Sequence, residues 1–93
     1  MTKRVRVADY LINQLYLEGV RQVFTVTGRG ALFLTDALAA NKNIETICTH
    51  HEQAAAFAAV ANAEVSGTIG ACLVSTGCAS TNTMTGVLNA WQD

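Results

Sequence analysis

The sequence predicts an α/β domain, a parallel sheet with helices covering both faces, and three observations predict it. Short β-branched runs alternate with stretches of about ten residues of helix formers, the pattern of parallel crossovers. The strand runs are largely apolar, which fits a sheet covered on both faces. Each strand run ends in a polar or glycine-rich loop, so the loops share one edge of the sheet.

Each element has its own signal. Val7, Leu11 and Leu15, with Ala8 and Ile12, follow helical spacing, and Gly19 falls where a left-handed C-terminal cap belongs. Gln22 to Thr27 reads as a strand closed by Gly28 and Gly30. Ala31 to Ala40 returns to strong helix formers, and Ile44 to Thr49 is a second strand. Glu52 to Glu64 is an alanine-rich helix that stops before Ser66-Gly67. Ile69 to Ser75 is a third strand, and Thr81 to Trp91 a fourth helix. Three strands are too few to bury the edges of such a sheet, so residues 1–93 read as a portion of a larger domain. Alone, that portion is expected to expose a strand edge and an apolar helix face, and to dissolve poorly.

Composition narrows the function. With 51% hydrophobic and 14% charged residues, the chain is neither disordered nor a membrane span; its longest uncharged apolar run, Ala54 to Ala61, is mostly alanine. A net charge of -1 offers no surface for nucleic acid, and the short cluster Lys3, Arg4 and Arg6 reads as a solvated terminus. Asp9, Asn13, Gln14 and Glu18 interrupt any signal-peptide core. Cys48, Cys72 and Cys78 form no CxxC pair, and Cys48 and Cys72 sit in apolar runs as small hydrophobes. A reduced, cytoplasmic protein is expected.

Three loops could carry chemistry. In the first, Thr27-Gly28-Arg29-Gly30, Phe33 stands where a dinucleotide fingerprint needs its third glycine, and both glycines are explained by a sharp strand-to-helix turn. In the second, His50, His51 and Glu52 are consecutive, and adjacent side chains do not converge on one ion, so no metal ligand is assigned. Either histidine reads as a hydrogen-bonded, partly buried ring. Glu52 opens a helix at the end of a buried strand, where a carboxylate complements the helix dipole but is costly unless paired. The third loop runs from Ser75 to Asn82.

From His50 to Asp93 the string HHEQAAAFAAVANAEVSGTIGACLVSTGCASTNTMTGVLNAWQD resembles the pyrimidine-binding domain of acetolactate synthase-like thiamine-diphosphate enzymes. That family has RHEQ at a strand end, an alanine-rich helix, then a TSGPGATN-type loop. Upstream, GVRQVFTVTGRGALFLTDAL (Gly19 to Leu38) is similar to the family's GV..VFG.PGG....DAL segment. On this resemblance, residues 1–93 are the N-terminal portion of a pyrimidine-binding domain.

The resemblance implies that Glu52 is the catalytic carboxylate. It would hydrogen-bond a ring nitrogen of the aminopyrimidine and favour the imino tautomer that deprotonates the thiazolium. Burial should raise its pKa and the helix N-terminus lower it. Thr27 and Gly28 match positions beside the pyrimidine, and Ser75, Cys78 and Asn82 match further cofactor contacts. Arg29 replaces a glycine and is a candidate to pair with a carboxylate or phosphate on the substrate, against the plainer reading of a surface arginine. The implied substrate is a 2-keto acid. The implied magnesium is held with the diphosphate by another domain, and some relatives also bind FAD. The implied assembly is a homodimer or homotetramer with the cofactor between subunits, so this stretch alone should be inactive. Thr27 for proline, His50 for arginine, Cys78-Ala79-Ser80 for PGA, and Val60-Ala61-Asn62-Ala63-Glu64 for DGYAR depart from the pattern and point to a divergent paralogue. A non-catalytic α/β binding or regulatory module is the competing expectation, and Glu52 is the residue such a module has no reason to keep.

Overall fold

A computed structural model describes residues 4–92, so Lys3 of the basic cluster and Asp93 lie outside the described residues. The chain runs α1 (Val7–Leu17), β1 (Gln22–Thr25), a 3-10 turn (Arg29–Ala31), α2 (Leu32–Ala40), β2 (Glu45–Cys48), α3 (Glu52–Ser66), β3 (Cys72–Leu73), α4 (Cys78–Thr81) and α5 (Met84–Gln92). All strand pairs are parallel, in the order β2-β1-β3. The chain steps one way from β1 to β2 and returns past β1 to reach β3. Right-handed crossovers in opposite directions put α2 and α3 on opposite faces of the sheet. The expected α/β sheet, covered on both sides, is what forms.

One face is a conventional aliphatic core. Ala8 and Ile12 of α1, Ala37 and Leu38 of α2, with Val20, Val23 and Ile44, make one buried cluster. Arg6 ties the two helices together at the surface, reaching Asp9 at 3.1 Å and Asp36 at 2.9 Å. It is thus a paired cation rather than a freely solvated one, although exposed pairs of this kind add little stability. Gly19, at φ 103°, takes the left-handed position after α1, as expected.

The other face is packed by small residues. Ala55, Ala56 and Ala59 of α3 are buried, and α3 contacts β1, β3 and α5. A Cβ on Gly70 would run into the Ala59 carbonyl oxygen, and one on Gly86 would lie 2.5 Å from the Ala56 Cβ. Alanine in α3 therefore does more than favour helix: it lets β3 and α5 approach the α3 backbone. The helix ends at Gly67, at φ 73°, whose N–H bonds the Ala63 carbonyl.

The third strand is shorter than Ile69 to Ser75. β3 pairs only with β1, whose own ladder ends at Thr25, so Val74 and Ser75 have no partner strand. Thr25 reinforces what remains: fully buried, it donates from Oγ1 to the Leu73 carbonyl at 2.7 Å. Thr25→Val in the full-length protein is expected to cost about 1–3 kcal/mol, because the carbonyl is left without that donor. An unchanged denaturation midpoint would show that the bond contributes nothing.

The cysteines correct the expectation for them. Cys48 and Cys72 are exposed, as is Cys78, because β2 and β3 are the outer strands around β1. Partial burial of the Cys72 thiol still pushes its pKa up. On α5, Met84, Val87, Leu88 and Trp91 are exposed, the apolar helix face expected from the sequence. Among the described residues no helix is long and apolar enough to cross a membrane.

Candidate cofactor-activating site

The three loops meet at the carboxyl edge of the sheet. With order β2-β1-β3, the chain direction reverses between β1 and β3, and the loops that follow these two strands pack against each other. There the Gly30 N–H donates to Ser75 Oγ at 3.1 Å. A Cβ on Gly28 would lie 2.6 Å from the Ser75 Cβ, and one on Gly30 2.7 Å from Thr76 Oγ1. Neither glycine has a positive φ, and Gly28 is extended at φ -172°. The glycines are required by the facing loop rather than by the turn. This corrects the conformational reading of them.

Ser75 is therefore an inter-loop tie, while Thr27, beside it, is exposed. Arg29 opens the 3-10 turn, is exposed, and forms no ion pair among the described residues. Cys78 is the first residue of α4, exposed, not part of an irregular loop.

Glu52 is the first residue of α3. His51 caps this helix: its Nδ1 accepts the Gln53 N–H at 3.0 Å, and its carbonyl accepts Thr49 Oγ1 at 3.0 Å. The cap engages one ring nitrogen of His51, but the ring is exposed, as is His50, rather than partly buried. Ahead of the cap, the Thr49 N–H bonds the Thr25 carbonyl at 2.9 Å, which fixes the start of α3 relative to β1.

Across the site, Asn82 Nδ2 donates to Glu52 Oε1 at 3.0 Å. The residues from Thr81 to Trp91 do not form one helix. The chain is helical from Cys78, breaks at Asn82-Thr83, and resumes at Met84. The Thr83 hydroxyl bonds the Ser80 carbonyl at 2.6 Å, and Thr83 then accepts the Val87 N–H through its own carbonyl. This break delivers Asn82 to Glu52. The resemblance placed both residues in the site, but no spacing rule showed that they touch.

The two opposing influences on Glu52 resolve toward the anion. The Asn82 amide is the chief cause lowering its pKa, and the Glu52 backbone N–H at the helix start adds to it. Desolvation opposes them, and the neighbouring His51 adds a lesser influence toward the anion. No other side chain among the described residues bonds the carboxylate, which leaves Oε2 without a side-chain partner.

Comparison with known proteins shows the family. The family described as "Thiamine pyrophosphate enzyme, N-terminal TPP binding domain" matches residues 5–93. The chain belongs to this family. The acetolactate synthase large subunit of Haemophilus influenzae is 37% identical over 91 residues, 98% of this chain and 16% of that protein. A probable acetolactate synthase large subunit of Methanocaldococcus jannaschii is 40% identical over 86 residues, 92% of this chain and 14% of the relative. Isozyme 3 of Escherichia coli is 36% identical over 86 residues, 92% of this chain and 15% of the relative. The chain thus spans about a sixth of the length of these relatives. It is a thiamine-diphosphate-binding domain of the acetolactate synthase-like kind.

Proposed function

We propose that the full-length protein is a thiamine-diphosphate-dependent enzyme that makes or breaks a carbon–carbon bond next to a carbonyl, on a 2-keto acid, with Glu52 as the catalytic residue that activates the cofactor. The observation that carries this reading is the held carboxylate: Oε1 bonded by Asn82, Oε2 open, at the N-terminus of α3. That donor set fits an aminopyrimidine, whose ring nitrogen needs one carboxyl oxygen that can both give and take a proton. When bound, the cofactor supplies the electron sink for the bond change. The chain's own contribution is binding, orientation and one proton position. His51 and Thr49 hold the helix start, Asn82 holds one oxygen, and Glu52 exchanges the proton at Oε2.

Gly28 and Gly30 pack against Ser75 and Thr76, which holds the first and third loops together at the edge of the site. Arg29, exposed beside it, is available to an anionic substrate group. Magnesium and the diphosphate belong, on this reading, to another domain of the complete cytoplasmic protein. The site would close between subunits of a homodimer or homotetramer. A non-catalytic module gains nothing from an acid held by one oxygen with the other free.

Purified full-length protein is expected to bind thiamine diphosphate in the presence of magnesium, seen by calorimetry and by mass spectrometry of the released cofactor. An intact protein that takes up no thiamine diphosphate under those conditions contradicts the function.

A further inference from the structure

We infer that Asn82 is the positioning residue for Glu52, holding Oε1 of the carboxylate so that its proton is favoured on Oε2. This rests on the proposed role of Glu52, but the contact is a property of this chain alone. The family resemblance put Asn82 against the cofactor; in the structure its side-chain amide donates instead to Glu52 at 3.0 Å.

The placement of Asn82 is determined from both sides. On its own segment, the Asn82 N–H bonds the Cys78 carbonyl at 3.1 Å, and the Thr83 N–H and hydroxyl both bond the Ser80 carbonyl. One turn further on, α5 is set against α3 by the contact of Gly86 with Ala56. Asn82 precedes Gly86 by four residues, and Glu52 precedes Ala56 by four. Glu52 is on α3 with Ala56, while Asn82 lies in the turn just before α5, so close packing of Gly86 on Ala56 brings that turn to the start of α3.

The chemistry follows from the donor inventory. An amide N–H directed at Oε1 is accepted best by an unprotonated, carbonyl-like oxygen. A protonated Glu52 therefore carries its hydrogen preferentially on Oε2, the oxygen with no side-chain partner. Without the amide, the proton partitions between two oxygens and the side chain between rotamers. The same hydrogen bond favours the anion, and so keeps the acid ready to give its proton away. His51 is the titratable neighbour on the same segment, and its Nδ1 is occupied in accepting the Gln53 N–H.

The test uses full-length protein carrying Asn82→Ala or Asn82→Asp, with two independent readouts. In cofactor-free protein, the Glu52 carboxyl is followed by infrared difference spectroscopy, native minus Glu52→Gln, across pH. Its protonated band is expected to persist to higher pH in Asn82→Ala, and higher again in Asn82→Asp, where a like charge faces it. In loaded protein, deuterium exchange at the thiazolium carbon is expected to slow by about tenfold or more, the scale of one hydrogen bond to a charged group, with thiamine diphosphate affinity retained. An unshifted Glu52 titration overturns the proposal. So does normal exchange combined with weakened cofactor binding, which makes Asn82 a ring contact. If Glu52→Gln itself leaves exchange intact, the positioning role falls with its premise, and the infrared shift still reports separately whether Asn82 holds the acid.

Discussion

Glu52→Gln in the full-length protein is expected to slow deuterium exchange at the thiazolium carbon of bound thiamine diphosphate by about a hundredfold or more, the usual scale of a lost proton-transfer group. The substitution isolates that term. Glutamine has nearly the same volume, and its carbonyl oxygen can still accept from Asn82 as Oε1 does now. Its amide can still face a ring nitrogen, but it cannot give that nitrogen a proton and take it back. Cofactor affinity and fold should therefore stay close to native while the exchange rate collapses. A variant that exchanges at the native rate would remove Glu52 from the reaction. One that no longer binds the cofactor would make it a structural anchor instead.

Much of this site is visible in the residues before any coordinates, and the reasons are local. Glu52 stands out because the end of a buried strand followed by an alanine-rich helix is decided by neighbours in sequence. The alternation of runs gives the sheet and the two helical layers for the same reason. What stays hidden depends on contacts distant along the chain. Gly28 and Gly30 look like turn glycines, yet it is Ser75 and Thr76, about forty-five residues away, that exclude a side chain there. Cys48 and Cys72 lie in apolar runs that a central strand would bury. Strand order, which sequence periodicity does not encode, puts both at exposed positions. The break at Asn82-Thr83 is invisible because Thr81 to Trp91 has neither proline nor a charged residue to interrupt it. Thr83 makes the break through a hydroxyl bond to Ser80, the kind of local competition with the helix ladder that threonine offers.

That break matters only if α5 stays where it is, and Gly86→Val is expected to move it. A Cβ at residue 86 would lie 2.5 Å from the Ala56 Cβ, 3.2 Å from the Ala56 carbonyl carbon and 3.3 Å from the Phe57 nitrogen. Two of those three atoms are backbone, so no rotamer change relieves the contact; the helices must separate. Overpacking of this kind costs about 1–3 kcal/mol, and the gain in helix propensity of valine over glycine, about a few tenths of a kcal/mol, offsets little of it. The separation reaches Glu52 along α3 and Asn82 through the turn that precedes α5, and their 3.0 Å bond has little slack. Peptides covering α3 and α5 should then take up deuterium faster in the full-length variant, and exchange at the thiazolium carbon should fall with them. Slower cofactor exchange without faster amide exchange would place the defect outside the interface of α3 and α5. Native behaviour in both would mean that the helices are held apart from each other in solution and that glycine at position 86 is not what sets their distance.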